Sequence, residues 1–349
     1  MRRRVDHECA VWLARFDTLL LSLVRTRAFQ ELAVMRFAIL GSGAVGGYFG
    51  AKLARSGQEV TFVARGAHLQ AIREHGLTVR SAKLGDFNVR AAAEEDTAKV
   101  GPVDAVIFAV KNYDNRGALP LLKPLVGGQT VVLTLQNGID SVSDLASTVG
   151  EQHVLGGTTY VATALEQPGL IVQTGVHRAI HFGEVFGGRD AITPRVQAIA
   201  DVMVAADIQV TAVPDARVPI WDKFVYLAPF SGFTGAARLP IGELWKFPHI
   251  QEMFYAAARE VAALATAEGI AISPVRFAVL KEYMDNIPPT TRSSLLIDLE
   301  MGKRIEVEAL QGAAVRRALA RGVPMPIINT LYAALKPWEN GNPRPSSAQ

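Results

Sequence analysis

The stretch MRFAILGSGAVGG, residues 35–47, is the clearest indication of how this 349-residue chain folds. Arg36–Leu40 is a short apolar run of the kind that forms a buried parallel strand. A GxGxxG turn follows at residues 41–46, and the sequence behind it predicts a helix that ends near Ser56. Glu59–Val63 is a second apolar strand. A strand, a glycine-rich turn, a helix and a second strand together form the βαβ unit that binds dinucleotides.

The glycines of this turn each have a physical task. Gly41 permits the tight turn, Gly43 lets the backbone approach a pyrophosphate, and Gly46 lets the helix pack against the strand. The first turn of the helix supplies free N–H groups and the positive end of a dipole. A glycine-rich turn without a ligand is the alternative. The candidate cofactor-binding residues are Gly41, Ser42, Gly43, Ala44, Val45 and Gly46.

The residues after the second strand distinguish NAD from NADP. An NAD-dependent enzyme usually carries an acidic residue there, which holds the ribose 2′-hydroxyl. This chain has Ala64-Arg65-Gly66 instead. An arginine can bind a 2′-phosphate through two hydrogen bonds. We therefore predict NADPH/NADP as the cofactor and Arg65 as a contact to it, with a solvated surface arginine as the alternative.

The rest of the chain predicts an α/β fold, with an N-terminal Rossmann-type doubly wound sheet followed by an all-α C-terminal domain. Apolar runs at residues 103–110 and 130–135 alternate with a predicted helix at 115–125, which favours a parallel sheet. Residues 77–90 predict a β-hairpin. Strand-like stretches between residues 153 and 184, divided at two glycine-containing turns, predict antiparallel additions to the sheet edge.

The predicted domains follow from a change of character along the chain. Residues 35–213 are interpreted as the Rossmann NADP-binding domain, and residues 214–336 carry helical spacing and form the helical substrate and catalytic domain. Residues 1–34 are interpreted as a non-catalytic N-terminal extension. Residues 337–349, rich in Pro, Asn and Ser, are interpreted as a loose tail.

Composition excludes several classes of protein. The formal net charge is +3, too small and too scattered to favour nucleic-acid binding. The single cysteine, Cys9, allows neither an internal disulfide nor a cysteine cluster for a metal, which fits a reducing cytoplasm. No apolar run reaches the roughly 18–20 residues of a membrane span. We therefore expect a cytoplasmic protein that acts on a small molecule. We expect no metal, nucleic-acid or membrane partner, and a homodimer is a possible oligomeric state.

Polar side chains follow two later strands at the same edge of the predicted sheet. Lys111 comes directly after the run 103–110, and Asn137, in Gln136-Asn137-Gly138, follows the run 130–135. In doubly wound folds ligands bind at the carboxyl ends of the strands. Both residues are therefore candidates for contact with the cofactor or the substrate. For Asn137 an ordinary Asn-Gly turn is the alternative.

The order of these motifs resembles the ketopantoate reductase family over roughly residues 35–335. The order is GxGxxG, an arginine after the second strand, a lysine after Ala-Val, Gln-Asn-Gly, Trp-Asp-Lys, and Ser-Ser followed twelve residues later by Glu. The resemblance implies NADPH-dependent reduction of the 2-oxo acid 2-dehydropantoate (ketopantoate) to pantoate, a step of pantothenate and coenzyme A biosynthesis.

The resemblance also implies roles for individual residues. Lys223 matches the catalytic acid and Glu306 a glutamate that orients the substrate, so both are candidate catalytic residues. Ser294 matches a serine that binds the substrate. Asn137 matches the asparagine near the nicotinamide, and Lys111 matches the cofactor lysine.

Two positions depart from the pattern of the best-characterised family members, which carry asparagines four and eight residues after the lysine. This chain has Leu227 and Ser231 there. Offsets of four and eight place both on the helical face of Lys223, so we expect both at the substrate site. Each lost amide contact removes about 0.5–1.5 kcal/mol net. The first alternative is therefore a reductase of a different, less polar 2-oxo acid or ketone, and the second is a non-catalytic NADPH-binding sensor.

The mechanism expected from these roles places demands on the structure. Lys223 should be partly desolvated, because burial lowers the pKa of an amine toward neutrality and makes it a better proton donor. Glu306 should accept a hydrogen bond from a substrate hydroxyl and help to orient Lys223. In an unbroken helix Ser294 and Glu306 would lie about 120° apart, so we expect a break near Gly302 that lets both reach one cleft.

Overall fold

The computed structural model describes residues 33–343. The predicted N-terminal extension, apart from its last two residues, and the end of the predicted tail lie outside the described residues. From Met35 onward the described chain forms one compact unit. A division of that unit at residue 214 stays a prediction.

Ten strands of the described residues form one mixed sheet. They are β1 (Arg36–Leu40), β2 (Glu59–Val63), β3 (Leu77–Ser81), β4 (Phe87–Val89), β5 (Ala92–Glu94), β6 (Ala105–Phe108), β7 (Val131–Thr134), β8 (Val154–Gln167), β9 (Leu170–Glu184) and β10 (Gln209–Asp215). Their order is β4-β3-β9-β8-β7-β6-β1-β2-β5, and β10 pairs with β9. The strands from β5 to β8 in this order pair in parallel, whereas β8 and β9 are antiparallel.

Helices connect the strands of the sheet, and after β10 the described chain is mainly helical. Those of the sheet half are α1 (Ala44–Arg55), α2 (Gly66–His75), α3 (Thr97–Val100), α4 (Asn115–Ala118), α5 (Ser141–Val149) and α6 (Pro194–Ala205). Those of the helical half are α7 (Arg217–Ala237), α8 (Ile241–Leu244), α9 (Pro248–Ala267), α10 (Val275–Asn286), α11 (Ser294–Glu300), α12 (Ala313–Arg321) and α13 (Pro326–Leu335), with a π-helix at Glu308–Gly312. The predicted fold class, a Rossmann-type sheet followed by helices, is confirmed.

The side chains of β1 point alternately to the two faces of the sheet, and both faces are covered. Phe37 and Ile39 pack into one buried cluster, and Ala38 and Leu40 pack into another. Successive side chains of a strand point to opposite faces, so a strand that is apolar at every position needs cover on both sides. A third buried cluster fills the helical half. In the part of the chain that the structure describes, no helix is long and apolar enough to cross a bilayer.

Three local predictions differ from the structure. The predicted helix at residues 115–125 is a single α-turn followed by a 3-10 helix over Leu119–Leu125, because Pro120 and Pro124 lack the N–H groups that an α-helix needs. Gly175 does not divide a strand, since β9 runs through it with a register shift. The long pair β8 and β9 is antiparallel as expected, yet it does not form the sheet edge, because the hairpin β3–β4 pairs onto β9.

The packing of α1 against β1 generates the first testable prediction. A Cβ at Gly46 would collide with the carbonyl oxygen of Gly41, whereas a Cβ at Gly43 would meet nothing within 4 Å. We expect Gly46→Ala to lower the free energy of unfolding by about 1–3 kcal/mol. Gly43→Ala, the matched control, should cost less than about 1 kcal/mol. Urea unfolding followed by circular dichroism measures both, and equal losses would contradict the assigned close approach.

Candidate active site

The glycine-rich turn has open space beside Gly43, and its Ser42 side chain is buried. Gly41 has φ +100°, and a Cβ there would lie 2.5 Å from the backbone nitrogen of Val110. The buried Ser42 hydroxyl lies 2.9 Å from the Val63 carbonyl oxygen. Gly43 has open space where a Cβ would be, next to the free N–H groups that begin α1. The turn therefore fits the pyrophosphate of a dinucleotide, as the sequence predicts.

Arg65 stands at the end of β2, directly before α2. Its side chain is 79% exposed, and its guanidinium lies 3.8 Å from the Asp114 carboxylate. A solvent-exposed ion pair of this kind is weak, so little free energy is lost when the arginine leaves it to bind a ligand. Arg65 is therefore placed to meet a charged group on a ligand at this edge.

His68, which the sequence analysis missed, supports the same turn. Its Nε2 lies 2.8 Å from the Ser42 carbonyl oxygen, and its Nδ1 accepts a hydrogen bond from the Gly169 N–H at 3.0 Å. Because Nδ1 accepts the second hydrogen bond, Nε2 is the donor to Ser42. A single histidine at the start of α2 carries no pattern that distinguishes this role.

Lys223 of α7 reaches from the helical half to the sheet. Its Nζ donates to the Asn137 side-chain oxygen at 2.9 Å and to the Thr159 carbonyl oxygen at 2.8 Å. It also lies 5.5 Å from the centre of the Tyr160 ring. Burial lowers the pKa of Lys223 to about 8, and the negative charge of Glu306 opposes part of that shift. The expected desolvated amine is present, and Asn137 holds it.

Glu306 is buried at the same edge, but its hydrogen bonds go to partners other than Lys223. One oxygen accepts from the backbone and side-chain nitrogens of Asn112, at 3.0 and 2.9 Å. The other lies 3.1 Å from the Lys111 Nζ, which also donates to Asp298 at 2.9 Å. Burial raises the pKa of the Glu306 carboxyl, but Lys111 and Asn112 outweigh it and lower the pKa.

Two residues of this network, Asn112 and Asp298, were not found from the sequence. Each pairs with a residue nearly two hundred positions away, and no spacing rule reports such contacts. Burial lowers the pKa of Lys111, but the two carboxylates outweigh that effect and raise it well above the usual range. Lys111 is therefore a permanent cation that bridges the sheet half and the helical half.

A narrow cavity of about 10 Å³, roughly the room of one water molecule, lies beside the Lys223 amine. The Gln136 side-chain oxygen faces the buried interior without a partner in the part of the chain that the structure describes. Leu227, Ile220 and Phe224 form an apolar wall on one side of the cavity. Contact of Leu227 with the substrate stays a prediction. The lining residues are Gln136, Asn137, Gly138, Gly157, Thr158, Ile220, Lys223, Phe224 and Leu227.

Ser231 and Ser294 lie elsewhere than expected. The Ser231 hydroxyl is buried, lies 2.7 Å from the Leu227 carbonyl oxygen and accepts from the Gln311 side-chain nitrogen at 2.9 Å. It does not line the cavity, because Gln311 of the π-helix covers it. Ser294 is exposed at the first position of α11, while its neighbour Ser293 caps that helix. Their predicted contacts with substrate therefore stay predictions.

The predicted chain break near Gly302 is present, whereas the reach of Ser294 into one cleft with Glu306 stays a prediction. The helix ends at Glu300, and Gly302 has φ +66°, a left-handed conformation that glycine adopts without strain. Beyond it the chain turns so that Glu306 and Asp298 reach the same lysine. Within residues 33–343 no group of three His, Cys, Asp or Glu side chains could hold a metal ion.

Comparison with known proteins gives consistent matches over both halves. The family described as "Ketopantoate reductase PanE/ApbA" matches residues 37–187, and "Ketopantoate reductase PanE/ApbA C terminal" matches residues 215–339. A 2-dehydropantoate 2-reductase of Archaeoglobus fulgidus is 33% identical over 313 residues, covering 89% of this chain and 100% of its own. That of Nostoc sp. is 31% identical over 304 residues, covering 86% and 94%.

A solved structure agrees with these relatives. The crystal structure of 2-dehydropantoate 2-reductase from Geobacter metallireducens superimposes with a TM-score of 0.80 at 30% identity, over 86% of this chain and 99% of that one. The relatives are oxidoreductases, and their family uses NADPH. The alternative of a non-catalytic sensor is therefore not supported, and the chain is an NAD(P)-dependent oxidoreductase that belongs to the ketopantoate reductase family.

Proposed function

We propose that this protein reduces a 2-oxo acid with NADPH, and that 2-dehydropantoate, which it converts to pantoate, is its first candidate substrate. The observation that carries the proposal is the buried Lys223 amine, held between Asn137 and Thr159 at the wall of the cavity. An amine with a pKa of about 8 is protonated at neutral pH and gives up its proton easily.

The hydrogen bonds of Lys223 define its task. An ammonium group has three donor hydrogens, and Asn137 and Thr159 accept two of them. The third is available for the carbonyl oxygen of the substrate. When bound, NADPH supplies the hydride. Lys223 stabilises the negative charge that develops on the oxygen and then transfers its proton, which gives the 2-hydroxy acid.

Glu306 acts on this step through its charge and its contacts. It is bonded to Asn112 and Lys111 at the sheet edge, so it fixes the edge that faces the cofactor. Its negative charge raises the pKa of Lys223 and keeps more of the amine protonated. We therefore assign Glu306 a positioning and electrostatic role in place of a direct bond to Lys223.

A second candidate function is reduction of a less polar 2-oxo acid or ketone. The observation that favours it is the apolar wall formed by Leu227, Ile220 and Phe224. A hydroxylated substrate finds no hydrogen-bond partner on that wall, which costs it about 0.5–1.5 kcal/mol for each contact.

Steady-state assays with NADPH and a panel of 2-oxo acids of decreasing polarity distinguish the two candidates. Efficient turnover of 2-dehydropantoate supports the first candidate, and a strong preference for an apolar 2-oxo acid supports the second. Leu227→Asn should raise kcat/KM for 2-dehydropantoate by about 2–10-fold, the equivalent of one hydrogen bond. Turnover of no member of the panel would overturn the proposed function.

Removal of the proposed proton donor is the most direct test of the mechanism. We expect Lys223→Ala to lower kcat by about 10²–10³-fold, the usual loss for one preorganised donor. Lys246→Ala removes a 62% exposed lysine from the same half and should leave kcat unchanged. Near-normal turnover of Lys223→Ala would refute the role of Lys223.

The charge of Glu306 makes a prediction about pH. Reduction needs protonated Lys223, so kcat/KM should be level below pH 8 and fall above it. Glu306→Gln removes a negative charge that raises the pKa of Lys223, so the break should move to lower pH. Glu252→Gln, at a 78% exposed site, is the control and should leave the break in place. A break that stays fixed or moves upward in Glu306→Gln is the contrary result.

Cofactor preference tests the assignment of Arg65. We expect Arg65→Asp to raise KM for NADPH relative to NADH by about 10–100-fold, because charge-assisted hydrogen bonds to the 2′-phosphate are lost. Arg90→Ala changes another exposed arginine of the sheet half and serves as the control. An unchanged ratio of the two Michaelis constants would show that Arg65 does not select the cofactor.

A further inference from the structure

Helices α7 and α10 of the helical half contact each other at two points. Arg276 of α10 forms an ion pair with Asp222 of α7, next to the catalytic lysine. Further along, the hydroxyl groups of Tyr226 on α7 and Tyr283 on α10 lie 3.4 Å apart, and their rings meet edge to face at 5.1 Å. Lys223 lies between these two points of contact along α7.

The spacing of these residues places them on matching helix faces. Arg276 and Tyr283 are seven residues apart, so they share one face of α10 and lie about 10 Å apart along its axis. Asp222 and Tyr226 are four residues apart on α7 and also share a face. The contact between α7 and α10 therefore has a cationic end and an aromatic end.

Aromatic side chains near this helix contact and near Lys223 are partly exposed. Tyr283 is 48% exposed and Tyr160, whose ring lies beside the Lys223 amine, is 38% exposed. Exposed aromatic side chains beside a reactive group are typical of a ligand contact, because an apolar ligand buries their surface. Tyrosine hydroxyls are neutral at neutral pH and do not repel an anionic substrate, and burial raises the pKa of both Tyr160 and Tyr226 further.

We propose that the enzyme also reduces 2-oxo acids that carry an aromatic group, with the ring against Tyr160, Tyr226 and Tyr283 and the carboxylate on Arg276. We call these four residues the recognition wall. The Arg276 pair with Asp222 uses one of the five guanidinium N–H groups, which leaves donors for a carboxylate. The reaction is the same hydride and proton transfer to the 2-oxo carbon and oxygen, so this inference rests on the proposed function.

Phenylpyruvate and pyruvate, assayed with NADPH on the full chain, form a matched pair that differs by one phenyl group. We expect kcat/KM for phenylpyruvate to exceed that for pyruvate by about tenfold or more, because the ring buries apolar surface. Tyr283→Ala should remove about tenfold of this advantage, because it lowers kcat/KM for phenylpyruvate more than kcat/KM for pyruvate. Tyr283→Phe keeps the ring and should keep the preference. Phe247→Ala, at an aromatic residue 58% exposed before α9, is the control and should also keep it.

The carboxylate contact has its own test. The double variant Asp222→Asn/Arg276→Gln leaves no buried carboxylate unpaired, and Asp222→Asn alone is its control. We expect the double variant to raise KM for both acids by about tenfold or more relative to that control, because both share the carboxylate. KM for NADPH should not change.

The outcomes separate this inference from the proposed function. Turnover of 2-dehydropantoate or pyruvate without any preference for phenylpyruvate would overturn the recognition wall and leave the proposed function standing. Loss of the preference in Tyr283→Phe or Phe247→Ala, or an unchanged KM in the double variant, would also overturn it. Absence of turnover with every 2-oxo acid would overturn the proposed function itself.

Discussion

The structure depends on one buried amine. Lys223 reaches out of the first helix of the helical half and ends on two acceptors that belong to the sheet, the Asn137 amide and the Thr159 carbonyl. Burying a cation costs free energy unless it is hydrogen-bonded, so these two acceptors make the position tolerable, and the remaining cost appears as a pKa of about 8. The same contact joins the two halves and positions the amine that we propose as the proton donor.

The neighbouring ion network carries the second link between the halves. Lys111 stands at the end of a sheet strand and meets Asp298 and Glu306, which come from the helical half on either side of the break at Gly302. This network links the sheet half to the helical half, and the negative charge of its Glu306 raises the pKa of Lys223. Positioning and proton chemistry are therefore coupled through Glu306, although it makes no hydrogen bond to Lys223 among the described residues.

The parts of the structure that follow from local rules could be predicted from the sequence. Strands β1 and β2 have the predicted bounds, because apolar runs and glycines decide them within a few residues. The break near Gly302 was also predicted correctly. Contacts between side chains that are distant in the sequence could not be predicted. Ser231 shares a helical face with Lys223, yet its hydroxyl is hydrogen-bonded to Gln311 of the π-helix. The prediction of an α-helix over Leu119–Leu125 was wrong, because the prolines in this segment prevent the hydrogen bonds of an α-helix.

The central claim is that the substrate oxygen takes the free donor position of Lys223. A crystal structure of the enzyme with NADP⁺ and the 2-hydroxy acid product tests it most directly. The account predicts the product hydroxyl oxygen within hydrogen-bond distance of the Lys223 Nζ, about 2.7–3.2 Å, with Asn137 and Thr159 still in place. A Lys223 amine that points to bulk solvent in the loaded enzyme, with the product oxygen bound to another donor, would contradict it.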